Sequence, residues 1–408
     1  MSTKVYPKYL TYVYFALSPI LWLPFVSSER MRLLKIVLFL FIVFFLFMST
    51  IAKTKIFLPK KVLFFSILCL IFFTPYLIIS NNFKGALNSF FNYFSSFLMV
   101  VIGLNFSAVS EDKKSFFCLL LLVNLYCVFP ICNFLLGIPE WQDWAPISDY
   151  RSAYLPKPFW VTGFNGGRTG WSESIALFIP LSFAVLHKQK QFLFKLFSIT
   201  VIIVAAQVIS GGRNGLAASF LAFAIITLKE IGLKRMLLFS LLLGFIYIIF
   251  FFQYTNDILV SLRIYDEASE ALSDNLTTDR YIMYEAFPTI FLESPFLGKG
   301  FLGSQQSLYP KYLSQDGIEM HNGLLRVFID HGLFFGSLMA FLIVFSLYKA
   351  LKLIFSKKNN MYTTMFSAII VQGIFISLFQ PLSLFGGFQI SALWWFALGM
   401  VLKNDYEK

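Results

Sequence analysis

The chain has 408 residues, 58% of them hydrophobic and only 13% charged. A water-soluble chain of this length carries about twice that share of charge to cover its surface, so a soluble globular protein is excluded. The net charge of +12 is spread as short Lys and Arg clusters between apolar runs, which argues for membrane topology and against a nucleic-acid partner.

Apolar runs of about 17–25 residues have the length a helix needs to cross a bilayer. They predict an all-α polytopic membrane protein with about 12 transmembrane helices. The runs lie near 10–26, 33–51, 62–80, 86–107, 115–137, 170–186, 192–209, 214–228, 236–254, 320–346, 361–380 and 384–402. The first follows the basic leader "MSTKVYPKYL", and "WLPFVSSER" is a poor cleavage site, so this helix is read as retained. A medium polar loop covers 138–169 and a large one covers 255–319. The chain thus divides into spans 1–9 over 1–254, the large loop over 255–319, and spans 10–12 over 320–408. No internal repeat is visible. Cys69, Cys118, Cys127 and Cys132 all sit inside apolar runs without CxxC spacing, so they read as packing residues rather than a disulfide or metal set.

Orientation follows from lysine. With a cytoplasmic N-terminus, Lys53, Lys55, Lys60, Lys61, Lys113, Lys114, Lys188, Lys190, Lys195, Lys229, Lys234, Lys349, Lys352, Lys357 and Lys358 fall on the inner side, with both termini. The outer side receives both long loops and most of the arginines, among them Arg151, Arg168, Arg213, Arg263, Arg280 and Arg326. Arginine is therefore concentrated where topology disfavours it.

Three outward stretches place an Arg after small or turn-forming residues: "GFNGGRTGWSES" at Arg168, "SGGRNG" at Arg213 and "TTDRYIMYEAF" at Arg280. Almost no loop separates the seventh and eighth spans at Arg213. A turn this tight is buried in the bundle, and its guanidinium is expected to face a cavity rather than open water. Arginines converging on one cavity repel each other unless an anion is bound, and their forked donors match phosphate oxygens, pyrophosphate above all. Each also has a structural reading: a loop charge at Arg168, a helix-end cap at Arg213, and pairing with Asp279 or Glu285 at Arg280. His321, at the head of the tenth span, can accept a proton near neutral pH or can cap the helix. Asn322 is an alternative cap, and a helix N-terminus itself favours bound phosphate. Arg326 and Asp330 share a face with Asn322 and are spaced to form an ion pair. His331 reads as a packing or interfacial residue, and His187 is given no role. No Walker loop, HExxH, GxSxG or Asp-x-Asp nucleotide-sugar pair is present, so an outward enzyme must use a substrate already activated, as lipid-linked sugars are.

The run "TDRYIMYEAFPTIFLESPFLGKGFLGS", a short gap, and "MHNGLLRVFIDHGLFFG" resemble the defining region of the bacterial O-antigen polymerase and O-antigen ligase superfamily. The matching positions are Arg280, the Ser294–Gly300 turn, His321-Asn322, and His331-Gly332 through Gly336; "SGGRNG" resembles the family's other arginine motif. The resemblance is sharp over 210–336. It implies a fold similar to the C-type membrane glycosyltransferases, with the large periplasmic loop between spans 9 and 10. It further implies metal-independent, cofactor-free and inverting transfer, in the periplasm of a bacterial inner membrane, from an undecaprenyl-pyrophosphate-linked glycan to an acceptor hydroxyl. Arg213 and Arg280 would hold the leaving pyrophosphate with Arg168 assisting, and His321 would take or orient the acceptor proton. Tyr281 and its neighbours Tyr254, Tyr265, Tyr284, Tyr309 and Tyr312 suit stacking on sugar rings, although they equally suit an interfacial aromatic belt. A chain-length regulator protein is a partner by resemblance only.

A polymerase moves the growing glycan onto another lipid-linked repeat unit, and a ligase moves it onto the lipid A core. The outer motif "GFNGGRTGWSESIALFIPL" and the Phe-rich composition favour the polymerase, with the ligase as the alternative. A transporter or lipid-linked glycan flippase is the third reading; the missing half-repeat and the single late outer loop weigh against it.

Overall fold

In the computed structural model of this chain, residues 57–79, 83–105, 120, 123–136, 168–187, 190–210, 212–229, 232, 284–300, 322–356, 361–379, 384 and 388–403 are described. Among them every regular element is helical. In chain order these are α1 (Lys60–Ile79), α2 (Phe83–Asn105), α3 (Phe129–Leu136, entered through a π turn at Asn124–Val128), α4 (Arg168–Ala176), α5 (Phe178–Leu186) and α6 (Phe192–Ser210). Then follow α7 (213–229) and α8 (284–292). The last three are α9 (Gly323–Phe355), α10 (Met361–Ser377) and α11 (Phe388–Lys403).

The apolar runs expected near 62–80, 86–107, 192–209, 214–228 and 361–380 fall on α1, α2, α6, α7 and α10. Those near 10–26, 33–51 and 236–254, and most of the two long loops, lie outside the described residues. Two boundaries differ from expectation. The run near 170–186 is two helices, α4 and α5, because Pro180 lacks an N–H and its ring displaces the carbonyl of Ala176. The run ending near 346 continues to Phe355. Lys349 and Lys352 extend it by lying over the rings of Phe345 and Tyr348, 5.6 and 5.9 Å from the centroids, so their apolar stems stay packed.

α9 is long and apolar enough to cross a membrane. Shorter apolar helices include Phe194–Ser210 and Tyr362–Ser377. Large apolar side chains stand on the surface, among them Ile78 (82% exposed), Leu135 (72%) and Phe194 (70%). Such a surface is costly in water and comfortable in lipid. Among the described residues the fold is all-α, and its apolar helices and apolar surface are those of a membrane protein.

Contacts divide the chain into two compact units. Unit 1 takes Met1–Thr54, Phe106–Asp266 and Leu353–Gln372; unit 2 takes Lys55–Asn105, Glu267–Lys352 and Gly373–Lys408. Unit 1 has a core of Trp171, Ile175, Phe183, Ile203 and Ala222 with Tyr126 and Cys127. The Trp171 indole donates to the carbonyl of Tyr126 (2.9 Å) inside the π turn, where wider winding loosens the helical ladder.

In unit 2, α2 and α11 approach closely at Gly103 and Gly399. A Cβ on Gly103 would fall on the carbonyl of Phe396, and one on Gly399 on the carbonyl of Val100. Small residues at this crossing let the backbones meet, which is how membrane helices gain contact without hydrophobic drive. Asn105 closes the other side of α2, accepting from the N–H of Phe57 (2.7 Å) and donating to its carbonyl (3.0 Å).

Candidate functional site

In unit 1, α4 and α7 each begin at an arginine, Arg168 and residue 213. The turn between α6 and α7 is closed on itself. Ser210 Oγ donates to the carbonyl of Gln207 (2.7 Å) and accepts from the N–H of Gly212 (3.1 Å), while the Gly212 carbonyl takes the N–H of Leu216 (3.1 Å). Ser172 of α4 then donates to the same Gly212 carbonyl (2.9 Å). A Cβ on either Gly212 or Gly215 would overlap Ser172, so glycine at both positions sets how near α7 can come to α4.

Two glutamines fasten the same pair of helices further in. Gln207 Nε2 donates to the Ser172 carbonyl (3.0 Å) and to Ser219 Oγ (2.8 Å). Gln372 Nε2 donates to the carbonyls of Ala176 (3.1 Å) and Ala218 (2.9 Å). The Ala176 carbonyl is the one Pro180 cannot serve, so Gln372 repairs the break between α4 and α5. Both glutamines are fully buried, and nearby Glu173 is 2% exposed. The turn is buried as expected, but Arg213 itself is exposed, against the expectation of an enclosed guanidinium. The physical reason is its place at the first position of α7, where Cβ is tilted back past the helix end. Arg168 and Arg213 therefore flank one contact, that of Ser172 with Gly212, and two helix N-termini open beside it. Each of these N-termini carries the positive end of its helix dipole.

Unit 2 holds the second polar feature. α9 is broken at Gly332, which adopts φ 63° and ψ −166°. An unbroken helix would have Leu333 and Phe334 donate to the carbonyls of Ile329 and Asp330. Here the loop after α8 exchanges into the gap. Lys299 and Gly300 N–H donate to Ile329 and Asp330 (2.9 Å each), and Leu333 and Phe334 N–H donate to Pro295 (2.8 Å) and Phe296 (3.4 Å). The loop is shaped by left-handed Gly298 and Gly300, and by Ser294, whose hydroxyl donates to the Gly298 carbonyl (2.7 Å). Lys299 pairs with Glu293. The two glycine-containing motifs, distant in sequence, are one interlocked piece of backbone. Breaks of this kind survive at membrane depth only where other groups satisfy the freed backbone, and this loop supplies all four partners.

α8 packs on the first part of α9. Ala286 and Ile290 pack with Leu325 and Ile329, and the ring of Phe291 meets Phe328 at 6.3 Å. Asn322 Oδ1 caps α9, accepting from the N–H groups of Leu324 (3.1 Å) and Leu325 (3.0 Å). Arg326 Nε and Asp330 Oδ2 form the expected ion pair (3.3 Å), with both residues buried. His331 is packed, as expected, among Phe73, Tyr93 and Phe335, with its Nε2 3.5 Å from the Tyr93 hydroxyl. His187, which was given no role, lies between the rings of Phe183 and Phe192. Arg280, Tyr281 and His321 lie outside the described residues. In sequence Arg280 precedes α8 by four residues and His321 adjoins Asn322, the cap residue.

Residues 198–340 match the family model described as O-antigen ligase. Over that segment, about a third of the chain, the sequence is similar to the O-antigen ligase family. A search of curated proteins gives no match to the chain. The O-antigen ligase segment runs from within α6 through the break in α9, and so includes the Gly212 turn, Arg213, the Ser294–Gly300 loop and Gly332. Ser172, Glu173, Gln207 and Gln372 are additions of the structure to the sequence reading. A signal for two of them was available: Gln207 and Gln372 are solitary amides inside apolar runs, where a polar side chain is expensive unless it bonds inward.

Proposed function

We propose that the chain is a polymerase that joins undecaprenyl-pyrophosphate-linked repeat units on the periplasmic side of a bacterial inner membrane. The observation that carries this reading is the family match over 198–340, which takes in Arg213, Arg280 and His321 together. In the proposed reaction the acceptor hydroxyl oxygen attacks the anomeric carbon of the donor sugar while the bond to the pyrophosphate oxygen breaks. The hydroxyl proton passes to His321, and undecaprenyl pyrophosphate leaves as an anion held by Arg213 and Arg280, with Arg168 assisting. Attack opposite the leaving group inverts the anomeric configuration. Because pyrophosphate is a good leaving group, catalysis consists mainly of positioning and charge stabilisation. Tyr281 stacks on a sugar ring in this scheme, and a chain-length regulator acts as partner. Asn322, whose side-chain oxygen caps α9, contributes to substrate binding in this scheme through the helix N-terminus it holds, next in sequence to His321.

The description of the matched family favours a second reading, in which the acceptor is the lipid A core and the protein is a ligase. The lipopolysaccharide banding pattern of a deletion strain separates the two. A polymerase deletion leaves core plus one repeat unit, which is the expected result. Loss of all O-antigen with accumulation of lipid-linked polymer identifies the ligase. An unchanged ladder contradicts both.

A further inference from the structure

Within unit 2, α1, α2, α9 and α11 line a partly open cavity of about 710 Å³. That volume falls within the range of about 300–1,000 Å³ found for small-molecule sites. Its walls are strongly aromatic, with Phe73, Phe90, Phe97, Phe335 and Trp395 among them, and its two charged lining residues are Lys61 and Lys349. Both lysines belong to the same end. Lys61 is in the first turn of α1 and Lys349 is near the last turns of α9, whereas Phe73 and Phe335 lie further along those helices.

We infer that this cavity binds one bilayer phospholipid with an anionic headgroup, its acyl chain among the phenylalanines and its phosphate at Lys61 and Lys349. The dimensions suit such a guest. From Lys61 to Phe73, and from Phe335 to Lys349, the helices rise about 18 and 21 Å at about 1.5 Å per residue. One leaflet of hydrocarbon is about 15 Å thick, half of the bilayer core, so an acyl chain and its glycerol linkage fit along the cavity. Charge selects the headgroup: Lys61 and Lys349 stand at one mouth, and two lysines there complement a phosphate diester.

The direction of the cavity separates this lipid from the donor. Asn322 caps the far end of α9, beyond the break at Gly332, and Lys349 lies about 26 Å of helix past that break at about 1.5 Å per residue. The proposed donor pyrophosphate is handled at the Asn322 end, so a lipid with its phosphate at Lys349 belongs to the opposite leaflet. A structural lipid there fills space between α1, α2, α9 and α11 that the protein's own side chains leave open, and would hold those helices at a fixed spacing.

The test is native mass spectrometry of the full chain, stripped of lipid in detergent and titrated with phosphatidylglycerol, with phosphatidylcholine of the same acyl chains, with undecaprenyl phosphate and with inorganic phosphate. One phosphatidylglycerol per chain is expected, retained about tenfold or more over phosphatidylcholine. The double variant Lys61→Gln/Lys349→Gln reduces phosphatidylglycerol to the phosphatidylcholine level, and Met339→Trp, which fills the cavity, removes it. The lysine variant leaves the aromatic walls of the cavity in place, so the test survives a folding failure of Met339→Trp. Equal retention of the two phospholipids overturns the inference, as does undiminished phosphatidylglycerol binding by the lysine variant. One-for-one displacement by undecaprenyl phosphate would assign the cavity to the donor lipid instead, and competition by inorganic phosphate alone would make it a simple anion site; either result also overturns it.

Discussion

Replacing Gly332 with alanine is expected to remove most folded protein and all activity. Its φ of 63° with ψ of −166° lies in a region that essentially only glycine occupies, so a side chain costs about 1–3 kcal/mol in backbone strain. The new Cβ would also fall on the carbonyl of Phe296. That carbonyl is backbone and accepts from Phe334, so it can move only if the loop leaves the break in α9. Undocking forfeits four exchanged hydrogen bonds, each worth about 0.5–1.5 kcal/mol net and more where no water replaces the partner. Against a total stability of about 5–15 kcal/mol, the combined loss is large. Size-exclusion profiles and melting curves in detergent check it: Gly332→Ala should lose its monodisperse peak or melt about 5 °C or more below wild type. Gly170→Ala is the internal control, since a Cβ there meets nothing within 4 Å. Co-melting of Gly332→Ala with wild type would mean that the loop does not lock the break.

The second large effect is expected at the Arg326–Asp330 pair. Both residues are buried, 7% and 5% exposed, so removing either leaves the other charged in a medium that solvates it poorly. Arg326→Ala or Asp330→Ala alone should cost about 3–5 kcal/mol. Arg326→Met with Asp330→Leu removes both charges and keeps volume, and should recover most of that loss because paired burial often contributes little net stability. The result to look for is strong non-additivity in a double-mutant cycle, with glycan assembly preserved in the double variant. Additive losses would mean that the two residues are not coupled, and an inactive but stable double variant would instead give the pair a role in the reaction.

How far the sequence led can be seen residue by residue. Helix positions were legible because an apolar run of bilayer length has few alternatives, and α6 and α7 fall within a residue or so of expectation. The Arg326–Asp330 pair and the packing of His331 were legible from helical spacing and neighbouring apolar residues. The exchange between Ser294–Gly300 and the break at Gly332 was not, since it depends on backbone hydrogen bonds between segments some thirty residues apart, and glycine spacing alone does not say which carbonyls it exposes. The break between α4 and α5 was available in Pro180, but its repair by Gln372 needed tertiary structure. Arg213 was read as enclosed because its turn is tight; the turn is buried, and the side chain at the start of α7 leaves it.

The central claim is that His321 takes the acceptor proton in a transfer from a lipid-pyrophosphate donor. Its most direct test is single-turnover transfer by the purified full chain, using an undecaprenyl-pyrophosphate-linked repeat unit as both donor and acceptor, for wild type and His321→Ala. The account predicts a rate lower by about 10²–10⁴-fold in His321→Ala, the range of general acid–base catalysis, with donor binding and melting temperature unchanged. Transfer by well-folded His321→Ala at the wild-type rate would contradict it and leave His321 as a residue at the head of α9.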